Sequence, residues 1–194
     1  MIKPRDQFLR EIYEVDPDNN AYMIEVALDS YADIFSEWDP APFKRRDLDP
    51  DLEVYLEAGA EDIPQRYSIE LCFILPSGSR DNQAEVEFLT GLRNSFAFKT
   101  YQLRKEIKKD NHLVLRYIVM GFVLLWFGTT FPRYLVEGTA TSIAVEGIFI
   151  GGWVFLWEAV SLFFFTNREL YIKHRTYQRL QHAPVIFRET GGYS

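Results

Sequence analysis

The chain has 194 residues, of which 47% are apolar, 16% aromatic and 25% charged, with a net charge of -7 and a mean hydropathy of -0.15. These figures exclude a disordered chain, a collagen and a disulfide scaffold, and the single cysteine, Cys72, fits a reducing compartment. The average conceals a division: residues 1–95 hold 9 Lys/Arg against 21 Asp/Glu, a net of -12, whereas residues 96–194 net +5. Such asymmetry points to two environments, often a membrane or nucleic-acid surface.

In chain order, Pro4–Tyr13 reads as a short helix with Phe8, Leu9 and Ile12 on one face, and Asp16–Asn20 as a turn. Tyr22–Leu28 alternates as a strand, and Asp29 or Ser30 is placed to cap a brief helix through Phe35. Trp38–Phe43 is a proline loop. Asp49 followed by Pro50 is an N-cap and N1 pair, opening a helix with Leu52, Tyr55 and Leu56 that ends near Gly59. Tyr67–Leu75 is the clearest strand, with Ile69, Leu71, Phe73 and Leu75 on one face. After the turn Pro76–Ser79, Asp81 caps a helix carrying Phe88, Leu89, Leu92 and Phe96. It either continues through Leu103 and Ile107 or breaks at Gly91 or Asn94-Ser95.

Two apolar stretches dominate the second half. Leu113–Phe131 contains one charge, Arg116, and Ile143–Phe165 contains two, Glu146 and Glu158. About 20 helical residues cross a hydrocarbon core, so both are expected to span a membrane. Lys99, Arg104, Lys105, Lys108 and Lys109 precede the first, and Arg168, Lys173, Arg175 and Arg179 follow the second, which places both termini inside. Met1–Asp18 has no apolar core, so no cleaved signal peptide is expected. Asn167–Gln181 reads as a basic helix and Pro184–Arg188 as a last strand able to return to the N-terminal sheet. The expected fold is therefore a membrane helical hairpin plus a small cytoplasmic α/β (α+β) domain with about three strands. Its parts are a cytoplasmic domain with linking helix at 1–112, a first span at 113–131, an outer loop at 132–142, a second span at 143–165 and a cytoplasmic helix and strand at 166–194.

Catalytic motifs are weak. Asp47, Asp49 and Asp51 have calcium-loop spacing, but Leu52 and Ala58 occupy the positions that need Gly and Glu. Pro50-Asp51 and Glu70 resemble a nuclease pattern that lacks its lysine, because Cys72 stands there. The spacings Arg168–His174 and Arg175–His182 fit a HEPN-like membrane-bound ribonuclease, a minor alternative. No zinc cluster, nucleophile elbow or phosphate loop is present, and no enzyme activity or metal is expected.

Charges within a span are costly and mark function. At about 100° per residue, Glu158 lies within about 20° of Gly147 and Gly151, a GxxxG pair that favours close helix packing. Arg116 is able to snorkel, and a pair with Glu158 within or between subunits is within reach. Such a pair either fixes assembly alone or leaves Glu158 facing an aqueous path that selects cations. Glu146 lies near the outer boundary. Two helices cannot enclose a pore, so a path requires a ring of about four or more subunits. Lys44, Arg45 and Arg46, flanked by Trp38 and Phe43, suit a polyanion such as a nucleotide, or else form a solvated loop paired with Asp47 and Asp49. Arg104, Lys105, Lys108 and Lys109 suit lipid headgroups or, around an axis, a polyanion.

The layout, with the run Trp38-Asp39-Pro40-Ala41-Pro42-Phe43-Lys44-Arg45-Arg46-Asp47, resembles the small membrane effectors of bacterial anti-phage defence, and in particular those of Hailong systems. The resemblance implies an oligomeric inner-membrane ion channel. Its gate would be a nucleotide or single-stranded oligodeoxynucleotide made by a partner nucleotidyltransferase, and opening would depolarise the membrane. The contrasting expectation is a non-conducting anchor or assembly protein that recruits a soluble partner.

Overall fold

The computed structural model describes residues 4–36, 47–130 and 138–190. Its elements are α1 (Pro4–Ile12), β1 (Tyr22–Ala27), α2 (Pro50–Asp62), β2 (Ile69–Leu75), α3 (Asn82–Thr130), α4 (Thr139–Ser161), a π-helical turn (Leu162–Thr166), α5 (Asn167–His182) and β3 (Val185–Glu189). The protein is mostly helical, with two long apolar helices and a small sheet. The chain divides into two compact units, residues 1–101 with 175–194, and residues 102–174.

The first unit is built on a three-stranded sheet in the order β1-β2-β3, parallel throughout, with Ile24 opposite Leu71 and Phe73 opposite Phe187. Parallel neighbours require a crossover. α2 supplies the first crossover, and the segment from α3 to α5 is the second. The C-terminal strand thus completes the sheet that the N-terminal strands begin.

One sheet face carries Ile24, Leu71, Phe73 and Phe187. Phe88 of α3 packs against it, with ring centroids 4.7 Å from Phe73 and 5.1 Å from Phe187. Phe88, Leu92 and Phe96 recur at helical spacing and are all buried. This burial carries the helix past Gly91 and Asn94-Ser95, where the sequence permits a break. α2 approaches the same face so closely that a Cβ on Gly59 would stand 3.3 Å from Ile24. Asp49 caps α2 as expected: its Oδ1 accepts from the amides of Asp51 (2.9 Å) and Leu52 (3.2 Å).

The opposite sheet face is more polar. Arg188 ion-pairs with Glu14 at 3.3 Å and Glu25 at 3.5 Å. Beside it Glu70 is buried, and desolvation raises its carboxyl above the usual range. Burial likewise pushes the Cys72 thiol up to about 11, which leaves it a poor nucleophile.

Asp29–Phe35 is a turn rather than the expected brief helix. The Asp33 carboxylate accepts from the amides of Asp29 and Ser30 and from the Ser30 hydroxyl. Side-chain capture of turn amides competes with helix formation. The turn clusters elsewhere behave as read: Asn20 has φ +55° and Gly78 φ +79°, conformations that Asn and Gly tolerate best.

In the second unit, α3 and α4 form an antiparallel hairpin. Only 17% of the most apolar 18-residue window of α3, and 11% of that in the helix running from α4 to α5, is buried. Both helices are long and apolar enough to cross a membrane.

Candidate functional site

The hairpin is organised by glycines. A Cβ on Gly121 would meet Leu156 Cγ at 2.7 Å and the Gly152 carbonyl at 3.0 Å; one on Gly152 would meet Leu125 at 2.9 Å. A Cβ on Gly128 would lie 3.3 Å from Ile148 and Phe149. Gly121, Gly128 and Gly152 therefore mark the line along which α3 and α4 touch. Gly147 has no atom within 4 Å of a built Cβ, and Gly151 has Leu124 alone, at 3.8 Å. The GxxxG pair singled out in the sequence thus lies beside this intrachain contact, and Gly152 holds it. The physical reason is register: Gly152 is about 100° around α4 from Gly151, and it is the position that faces Gly121.

Measured around α4 from Gly152, Gly147, Gly151 and Glu158 lie about 100–140° to one side and Trp153 and Trp157 about 100–140° to the other. Around α3 from Gly121, Arg116 and Met120 fall on one side and Phe122 and Trp126 on the other. For antiparallel right-handed helices these senses coincide. One broad face of the hairpin carries Arg116, Met120, Gly147, Gly151 and Glu158. The other carries Phe122, Trp126, Trp153 and Trp157, which are 61–73% exposed. Two contacts along the edge of the first face agree with this: Leu124 against Gly151, and Tyr117 with Phe155 at a centroid distance of 5.7 Å.

The same contacts set the depth of the two charges. Gly121 faces Gly152 and Leu156, and Tyr117 faces Phe155, so Arg116 falls within about one residue's rise, roughly 1.5 Å, of the level of Glu158. The apolar boundaries of the sequence put Glu158 about a turn deeper. Arg116 and Glu158 are both exposed, and no ion pair joins them among the described residues. Glu146 is exposed nearer the start of α4, on the aromatic side.

Of the two basic sets, Lys44, Arg45 and Arg46 lie outside the described residues, as does most of the Trp38–Asp47 run. Arg104, Lys105, Lys108 and Lys109 are exposed; Lys105, Lys108 and Lys109 share the side of α3 opposite Leu103 and Ile107, which are buried, and Arg104 flanks Ile107 about 60° away. Lys99 and Arg179, counted with the flanking positive charge, serve the first unit instead. Lys99 pairs with Glu53. The Arg179 guanidinium donates to the carbonyls of Ala60 (2.8 Å), Ile63 (2.6 Å) and Tyr67 (2.6 Å). It thereby anchors α5 to the C-terminal end of α2.

For the ribonuclease alternative, Arg168 and Arg175 are exposed. His182 Nδ1 lies 2.7 Å from the carbonyl of Gln178, one turn back on its own helix. His174 is half-buried beside Arg104, and desolvation first, then that guanidinium, lowers its pKa. Among the described residues, no group of three His, Cys, Asp or Glu side chains is arranged to hold a metal. Asp49 is committed to its cap.

Two arrangements have no sequence signal beyond residue type. Asn167, 1% exposed, donates to Asn111 Oδ1 at 2.9 Å, and Asn111 donates to the Tyr171 hydroxyl at 3.4 Å. Asn167 follows the π turn, where its amide reaches back to the Leu162 carbonyl. In the first unit the buried Tyr177 hydroxyl donates to both Glu53 and Glu57 (2.8 Å), and burial with these carboxylates drives its pKa up. Finding either from sequence would require knowing which residues the fold brings together across 56 and more than 100 positions.

No known protein family, no curated protein and no solved structure matches this chain.

Proposed function

We propose that this protein is an oligomeric inner-membrane ion channel effector of anti-phage defence, gated from the cytoplasm by a nucleotide or single-stranded oligonucleotide. In this reading α3 and α4 cross the bacterial plasma membrane with both termini cytoplasmic. A ring of about four or more hairpins surrounds the path. The first unit reads the ligand, which a partner nucleotidyltransferase supplies. The exposed set Arg104, Lys105, Lys108 and Lys109 contacts either phosphates of that ligand or lipid headgroups.

The observation that carries the reading is the hairpin face holding Arg116, Gly147, Gly151 and Glu158. Ionisable groups on an apolar hairpin are expensive in hydrocarbon and belong in a protein interior or a water-filled cavity. A single chain supplies neither. Assembly into an oligomer supplies both.

The test is ion flux from liposomes containing the purified protein, with oligodeoxythymidylate added as the polyanion probe. Flux is expected to appear or rise with the probe, and Glu158→Gln is expected to change its cation preference. Absence of flux with and without the probe, from a preparation that is oligomeric in detergent, overturns the channel and favours a non-conducting anchor. Probe binding, where present, should weaken steeply with salt. RNA cleavage abolished by His174→Ala would instead establish the ribonuclease.

A further inference from the structure

We infer that neighbouring copies of this chain pack with the Arg116–Glu158 face of the hairpin at their contact, so that Arg116 of each copy meets Glu158 of the next. The inference rests on the oligomeric membrane reading above and names the contact within it.

Three observations converge. First, the two opposite charges lie on one face and at one level of the hairpin, yet among the described residues they do not pair within the chain. The intrachain contact line through Gly121 and Gly152 turns both outward. In a low-dielectric medium each needs an opposite charge. Second, their common level has a geometric consequence. Neighbours in a ring are related by rotation about an axis parallel to the helices, which leaves depth unchanged and sets α4 of one copy beside α3 of the next. Arg116 and Glu158 lie about 140° and 120° around their helices from the intrachain contact, toward those outer edges, so each Arg116 faces the Glu158 of its neighbour once per interface, as a head-to-tail ring requires. A level mismatch of one helical turn would have forbidden this. Third, Gly147 and Gly151 leave open space on the same face, with at most Leu124 near a built Cβ. Helix backbones can approach closely there. The opposite face, with exposed Trp126, Trp153 and Trp157, is suited to lipid.

A headgroup phosphate is the competing partner for Arg116, since a long side chain near a helix end can reach the interface. It would leave Glu158 without a counterion, and so explains one charge where neighbouring copies explain both.

The experiment joins chains in membranes by position. One tagged chain carries Arg116→Cys and a differently tagged chain carries Glu158→Cys. Both are coexpressed and treated with a short bifunctional thiol reagent, because an Arg–carboxylate pair spans more than a disulfide does. The native Cys72 is fully buried and stays silent. The expected product is a dimer bearing both tags, at least tenfold more abundant than dimers from either chain alone. A parallel arm keeps the residues charged: Arg116→Glu and Glu158→Arg each lower the dimer yield severalfold in detergent, and the double exchange restores it.

Absence of the mixed product from a wild-type protein that remains oligomeric overturns the contact and leaves the oligomer standing. A wild-type protein that is monomeric in membranes overturns the oligomer and this contact together. If the exchanged variants fail to accumulate, the cysteine arm decides, because its wild-type charge is lost at one position per chain.

Discussion

The two units solve opposite packing problems with the same kinds of residue. In the first, Phe73 and Phe88 have no exposed surface, and the aromatic side chains close over a sheet. In the second, Trp126 is 67% and Trp157 73% exposed, and Gly121, Gly128 and Gly152 are on the inside. A water-soluble unit hides large apolar groups because their burial is its main source of stability. In the membrane setting proposed for the second unit, a helix pair gains nothing from hiding them and is held by close backbone approach instead. The positions that matter are therefore inverted: aromatic residues in one unit, small ones in the other.

Substitutions that exchange the two logics test this contrast. Phe88→Ala should destabilise the first unit by about 3–5 kcal/mol, read as a fall in the unfolding midpoint of the sheet. Phe122→Ala on the exposed side of α3 should leave that midpoint unchanged. Equal losses from both would show that α3 is a buried core helix throughout. Arg179→Met removes the guanidinium that donates to the carbonyls of Ala60, Ile63, Pro64 and Tyr67 and should cost about 2 kcal/mol. Arg179→Lys should recover part of it, since an ammonium cannot reproduce the planar fork. Gly121→Leu, where even a Cβ meets Leu156 and the Gly152 carbonyl, should cost about 1–3 kcal/mol of hairpin stability. Gly147→Ala should leave the monomeric hairpin intact, as compared by protease resistance in detergent.

The smallest effect expected is one of pH. Burial raises the Glu70 pKa in the folded state, so the folded protein binds the proton more tightly than the unfolded chain. Stability should fall as pH rises from the ordinary carboxylate range through that raised value. Glu70→Gln should flatten this slope, and thermal unfolding from pH 4 to pH 8 measures it. The sign is reversed for His174, whose pKa is lowered. It should add stability as pH rises toward the ordinary histidine value, and His174→Gln should remove that gain.

Local chemistry made much of the fold legible. The alternation at Ile69, Leu71, Phe73 and Leu75, the Asp49-Pro50 cap and the turn residues near Asn20 and Gly78 each act over a few residues, and each appears where the sequence indicates. The Asp29–Phe35 turn departs from the reading because Asp33 can serve a turn as well as a helix. The candidate site was legible by residue type but not by partner. Arg116 and Glu158 announce themselves as charges in apolar runs, but their common level depends on which glycines meet. Gly147, Gly151 and Gly152 look alike as letters, and Gly121 on the other helix selects among them.

The sequence by itself determined the two apolar helices, the charge asymmetry and the three strands, because each depends on periodicity and composition along a continuous stretch. The tertiary structure decided which charges share a face and a level of the hairpin, which cations are consumed by the fold and which glycine faces a neighbour. These depend on contacts between residues far apart in the chain. A shift of one residue, about 100° around a helix, exchanges a buried face for an open one.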